Sequence, residues 1–192
     1  MSFFVLANDP KRREARRSFL GTSGLLLSGT AVALLAGQEA LAAKGGKSAA
    51  DDTRILNTAL GAELEAVAAY QVGAESGLLQ KPVLDLAVTF QGHHREHAEL
   101  LSKTIARLGG KPVSPKGKYN FPTDTLKSQA DVLRFAATLE KGAVSAYLGA
   151  VPLFGSRDLA KAAASILGDE AMHWAILRNA LGEVPVPSGF MS

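Results

Sequence analysis

The chain has 192 residues, 47% of them hydrophobic and 20% charged, which fits one domain with modest appendages. It contains no cysteine, so disulfides, zinc–thiolate sites, cysteine-held iron–sulfur clusters and thiol catalysis are excluded. The formal net charge of +3 is unevenly placed: residues 1–42 hold five Lys/Arg and three acids, the remainder stands near +1, and a nucleic-acid footprint is not supported.

The first segment reads as an address. A basic stretch ends in Arg16-Arg17-Ser18-Phe19-Leu20, a mildly apolar run follows to Ala36, and Ala40-Leu41-Ala42 supplies a small-x-small cleavage pattern. Paired arginines before Phe-Leu, with a soft apolar run, resemble a bacterial twin-arginine signal. The expectation is a precursor that engages the twin-arginine export machinery and matures in the periplasm or beyond, with no stable membrane span after cleavage. The alternative is an uncut N-terminal anchor, although the run is near the lower limit for spanning a bilayer. Residues 43–53 read as a flexible linker, with Asp51, Asp52 or Thr53 available to cap the next element.

Residues 54–190 read as an all-α domain. Alanine and leucine dominate its runs and aromatic residues are few, at 6%, which favours helices over sheets. Amphipathic segments are predicted over Asp52–Gly77, Pro82–Leu108, Ser128–Ala150 and Ser156–Leu181, with Gly77, Gly109-Gly110 and Gly182 as stops. The first and last connections are short. The middle one, Gly109 to Lys127, is long and carries Pro112, Pro115 and Pro122. Two antiparallel hairpins joined by one long crossover is one of the connectivities open to a four-helix bundle. The tail Val184-Pro185-Val186-Pro187 cannot continue a helix and is expected to pack as an extended strap.

The domain repeats internally. Glu63 to Tyr70 and Glu140 to Tyr147 both read Glu-x-x-Ala-Val-x-Ala-Tyr, offset by 77 residues. His94-Arg-Glu-His97 aligns with Glu170-Ala-Met-His173 at an offset of 76. Helical spacing places Leu56, Leu60, Glu63, Val67 and Tyr70 on one stripe, and Leu133, Ala136, Glu140, Val144 and Tyr147 on its counterpart. The other two stripes are Phe90, His94, His97, Leu101, Ile105 and Leu108, and Ile166, Glu170, His173, Leu177 and Leu181. Apart from the tyrosine hydroxyls, the polar members are Glu63, His94, His97, Glu140, Glu170 and His173. Carboxylates in apolar stripes are costly unless paired or bound to a cation. A metal ion satisfies three carboxylates and three imidazoles with one device, and this donor mixture suits iron, manganese or zinc. Carboxylate neighbours favour a non-haem ion over haem.

Other polar residues read differently. His93 lies one residue off its stripe and is a secondary candidate. Glu65, Glu96 and Glu99 are expected to face solvent, and Met172 and Trp174 to make core or hairpin contacts. No Ser/His/Asp set, phosphate loop or dinucleotide motif is visible, so no catalytic residue is assigned and enzymatic activity is left open.

The repeat, together with Leu108-Gly109-Gly110-Lys111-Pro112, Ala146-Tyr147-Leu148-Gly149-Ala150, the run from Ile166 to Leu177 and the closing Pro187-Ser188-Gly189-Phe190, resembles the bacterial ferritin-like domain family. Its exported members are often described as ferritin-like or desiccation-related. The resemblance implies a ferritin-like bundle that holds one or two ions of non-haem iron or manganese, with iron or oxygen redox chemistry as its activity. Glu63 and Glu140 would be terminal ligands, His97 and His173 the imidazole ligands, and Glu170 a bridging carboxylate. His94 departs from the pattern, which has a second bridging glutamate there. A neutral imidazole offers one lone pair and cannot bridge as a carboxylate does. The alternative is a non-catalytic, stress-protective bundle whose six residues form a vestigial polar core. A homo-oligomer is open, although nothing on the exposed faces marks a cage-forming surface.

Overall fold

The computed structural model describes residues 49–191. The signal segment and most of the linker lie outside them. Four long helices form the domain: α1 (Ala49–Glu75), α2 (Lys81–Arg107), α3 (Gln129–Ala150) and α4 (Arg157–Ala180). Short 3-10 turns occupy Thr123–Thr125 and Val151–Leu153. α1 packs along α2 and α3 along α4, and contacts of α1 with α3 and of α2 with α4 join the two hairpins. The expected all-α bundle with one long crossover is what the chain forms. Among the described residues no helix is long and apolar enough to cross a membrane.

The helix ends follow local chemistry. Ser128 and Ser156 cap α3 and α4 by accepting from the backbone N–H of Asp131 and Leu159, contacts worth about 1 kcal/mol each. Gly77, Gly109 and Gly182 sit just beyond helix ends with φ of 71°, 79° and 74°, a backbone region that favours glycine. α1 departs from expectation by starting at Ala49, inside the segment read as linker. Its first turn carries Asp51 and Asp52, and negative charge there complements the helix dipole.

Asp52 does not cap its own helix. It is buried, and its carboxylate accepts from the backbone N–H groups of Gly155 at 2.7 Å and Ser156 at 3.1 Å. The acid near the start of α1 thus satisfies donors at the start of α4 and ties the two hairpins together at one end. The crossover is pinned in turn by Asn57, whose side chain donates to the Lys111 carbonyl at 3.1 Å and accepts from Val113 N–H at 2.8 Å. Gly110 lies so close to α1 that a Cβ there would meet Thr53 Cγ2 at 2.4 Å.

The core divides into two apolar layers. One holds Ile55, Leu56, Leu60, Leu101, Ile105, Tyr147 and Ile166. The other holds Tyr70, Phe90, Leu133, Ala137 and Leu177. A smaller cluster of Ala69, Phe135 and Leu139 carries Phe121 and Leu126 of the crossover.

Four expectations need correction. Glu65 is buried at 8% exposure, because the α1/α3 seam folds over it. Met172 is exposed, since it points away from both apolar layers, whereas Trp174 does pack on the second. Leu108 lies beyond the last turn of α2 and is exposed at 39%. The tail is not a packed strap: Val184, Val186 and Phe190 are all largely exposed. Arg178 holds its start by donating to the Val184 carbonyl and pairing with Glu183.

Candidate metal centre

The repeat places one glutamate on α1 and its equivalent on α3, each seven residues before a tyrosine. Seven residues are about two helical turns, so each Glu and Tyr share a face. In the bundle each tyrosine reaches across to the other repeat's acid. Tyr147 donates to Glu63 Oε1 at 2.5 Å, and Tyr70 donates to Glu140 Oε1. Burial, followed by the charge and hydrogen bond of the facing glutamate, pushes both phenols well up, so they remain neutral donors. These reciprocal bonds fix both carboxylates between the two apolar layers.

α2 and α4 supply the rest. The i, i+3 spacing of His94 with His97 and of Glu170 with His173 puts each pair on one face, about a turn apart. Glu63, His94, Glu140, Glu170 and His173 are at most 2% exposed. His97 keeps an edge open, with its side chain 14% exposed.

The structure brings all six predicted residues together as two overlapping tetrads. Glu63, His94, His97 and Glu170 form one; His94, Glu140, Glu170 and His173 form the other. Within each, the donor atoms lie within 4.8 Å of one another, spacing that a metal ion could span. Glu170 and His94 belong to both. Glu170 approaches His97 Nδ1 at 3.1 Å, and His94 and His173 at 3.6 Å each.

His94 stands where the repeat has a carboxylate on α4. Its Nδ1 is 2.8 Å from Glu63 and its Nε2 3.2 Å from Glu140. One imidazole therefore links the terminal acids of both repeats.

Electrostatics match this packing. Burial alone would push the His94 imidazole down, but contact with Glu140 and Glu63 and the nearby charge of Glu170 carry its pKa up to about 11. His97 follows the same pattern: burial opposes its charge, and Glu170 and Glu63 raise it to about 9. For His173 burial is likewise overcome, by Glu140 and Glu170, with a result of about 9. Burial works against charge on Glu140 too, yet His173 and His94 hold its carboxyl well below the usual carboxylate range. Without an ion the cluster is thus a mesh of imidazolium and carboxylate.

That mesh does not close. His97 Nδ1, Glu140 Oε2, both oxygens of Glu170 and His173 Nδ1 are buried without a hydrogen-bond partner. Buried polar atoms are almost always satisfied. These five sit on three helices inside one donor cluster, so the residues present fit a metal ion.

Two neighbours lie beyond the predicted six. One is Asp169, the residue before Glu170 on α4. Its Oδ2 lies 3.2 Å from His173 Nε2, 3.3 Å from His97 Nε2 and 3.4 Å from His93 Nδ1. The usable signal was its i, i+4 spacing to His173. His93 Nδ1 is in turn 2.9 Å from His173 Nε2. All four histidines of the chain therefore converge here. On the opposite side, a cavity of about 720 Å³, its open mouth included, runs along the α1/α3 seam and reaches Glu63, His94 and Glu140. Its walls are mainly small and apolar, with Ala59, Ala62, Ala143 and Ala146 among them.

Comparison with known proteins bears on the fold. The family described as Ferritin-like domain matches residues 51–183. No curated protein matches the chain. Among solved structures, a conserved hypothetical protein, rv2844, from Mycobacterium tuberculosis has a TM-score of 0.64 at 22% identity. The alignment covers 74% of this chain and 99% of that one, and at such identity it shows a shared fold. With a family match that spans most of the four helices, the chain belongs to the ferritin-like domain family.

Proposed function

We propose that this protein holds a single buried non-haem metal ion, iron or manganese, between the two halves of its bundle. The observation that carries this reading is the set of five buried N and O atoms without a hydrogen-bond partner, held at best by ion-pair contacts of 3.1–3.6 Å inside one cluster of carboxylates and imidazoles. The donor set is oxygen and nitrogen without sulfur, which suits these ions. Iron or manganese held there would supply one-electron redox chemistry toward oxygen or peroxide.

The chain's own residues would divide the work. Glu170 and the Nδ1 atoms of His97 and His173 offer the free lone pairs. Glu63 and Glu140 add charge and are held in place by Tyr147 and Tyr70. Neutral His94 has one lone pair and one N–H, so it serves an ion on one side and donates to the acid on the other. This asymmetry is the basis for one ion rather than two. The α1/α3 cavity offers a small apolar molecule a way to the carboxylates. The paired arginines and apolar run of residues 16–36 support action outside the cytoplasm after twin-arginine export.

A second reading, a metal-free polar core in a non-catalytic bundle, draws on the two short contacts of His94 with Glu63 and Glu140. Thermal unfolding separates the two. An ion that binds only the folded state adds about 2.7 kcal/mol at one hundred times its Kd. Added manganese(II), or iron(II) without oxygen, should raise Tm in the wild type and by much less in Glu170→Ala. Equal response of both proteins would favour the metal-free core.

A further inference from the structure

His93 is the one histidine that faces none of the buried glutamates. Its side chain is 40% exposed, and its Nδ1 points at His173 Nε2, 2.9 Å away, and at Asp169 Oδ2, 3.4 Å away. The ring lies nearly parallel to that of His173, with centroids 5.1 Å apart. Donor atoms of His93, Asp169 and His173 lie within 4.8 Å of one another, a spacing that one cation could bridge. His97 Nε2 flanks the group, 3.3 Å from Asp169 Oδ2. His93 Nδ1 and His173 Nε2 share one hydrogen, which leaves Asp169 Oδ2 with longer contacts of 3.2–3.4 Å to three imidazole nitrogens.

Position adds a second argument. Side-chain exposure falls from 40% at His93 to 23% at Asp169, 14% at His97 and 2% or less at His173 and Glu170. This is a graded polar path from solvent into the cluster, on the α2/α4 side. The other opening, along α1/α3, is mainly apolar and offers a hydrated cation little in place of its water.

We propose that His93, Asp169 and the outward Nε2 of His173 form a second, solvent-facing site that captures a divalent transition-metal ion and passes it to the buried centre. The proposal rests on the reading of that centre as a metal site. His173 joins both sites through opposite nitrogens, Nε2 outward and Nδ1 toward Glu140 and Glu170. A neutral imidazole has one lone pair, so His173 serves one ion at a time. The outer site empties as the inner one fills, and its signature is kinetic. Two imidazoles and one carboxylate select ions of the iron, manganese, cobalt and zinc type over calcium or magnesium.

The test follows cobalt(II) uptake by the metal-free full chain, through the visible absorption of the bound ion. The wild type should show a fast phase that depends on cobalt concentration, then a slower one that does not. His93→Ala and His93→Gln should lose the fast phase and load about tenfold more slowly, a typical size for loss of a residue that supports a metal site. Their final cobalt content and far-UV circular dichroism should match wild type. Glu63→Gln, which touches none of His93, Asp169 and His173, should keep the fast phase and lose the slow one. Wild-type phases and rates in both His93 variants would overturn the outer site while leaving the buried centre standing. No cobalt uptake by the wild type would overturn both.

Discussion

Tyr147→Phe removes one oxygen and nothing else. The ring stays in its apolar layer, so no cavity forms, and the loss falls on Glu63 Oε1, which accepts the phenol's hydrogen bond at 2.5 Å. Glu63 is 2% exposed and the cavity that reaches it is mainly apolar, so water is a poor substitute for the donor. A hydrogen bond to a buried charged group is worth about 1.5–3 kcal/mol, and that is the expected loss for the metal-free protein. In a domain of this size such a loss lowers Tm by about 4–10 °C. A loosened ligand should also weaken the ion's hold by about ten- to a hundredfold, the range found for outer-shell partners of metal ligands. Tyr70→Phe should cost about as much through Glu140, because the two bonds are related by the internal repeat. Thermal melts of metal-free protein, paired with manganese(II) titrations, read both quantities. If Tyr147→Phe leaves Tm and affinity unchanged, Glu63 is not held by this bond and the positioning role of the tyrosines is wrong.

Three further outcomes follow from the same geometry. His94→Glu restores a second carboxylate that can bridge, so tightly held ions should rise from about one to about two per chain, as read by elemental analysis; unchanged stoichiometry would refute the account of His94. In the absence of metal, His97 and His173 titrate near 9 and His94 near 11, all raised from 6.5. Raised values mean their stabilising charge is fully present below the unfolded value and is lost as pH rises through 9 and on to 11, so metal-free Tm should fall over that window. Metal affinity should move the other way, strengthening as pH rises toward 9, because the ion displaces these protons; a pH-independent affinity from 6 to 9 would contradict it. Asp52→Ala strands the N–H groups of Gly155 and Ser156. It should cost about 2–4 kcal/mol and speed amide exchange at the start of α4, both measurable by denaturant unfolding and hydrogen exchange.

Much of this molecule was legible in the order of its residues. Four periodic segments with glycine stops specify four helices, and the proline-bearing stretch from Gly109 to Lys127 specifies the crossover. The repeat went further, since equivalent residues in two hairpins must meet near the axis that relates them. That is why Glu63, Glu140, His97 and His173 could be placed together before any contact was known.

What stayed hidden depends on contacts between segments far apart in the chain. Asp52 looks like a cap for its own helix until α4 is seen to begin beside it. Local spacing assigns Glu65 to solvent and is silent on Asp169; only packing against other helices shows that Glu65 is buried and that Asp169 meets three imidazoles. The tail has the composition of a packed strap, yet Val184, Val186 and Phe190 find no apolar surface to cover.

The most direct test of the central claim is the metal content of the protein, purified without chelator or added histidine tag, beside Glu170→Ala. The account predicts about one tightly held equivalent of iron or manganese in the wild type, since the ion satisfies buried atoms the fold leaves without a hydrogen bond. It predicts little or none in Glu170→Ala, with helix content unchanged. Absence of metal from the wild type, even after reconstitution with iron(II) or manganese(II), would contradict it.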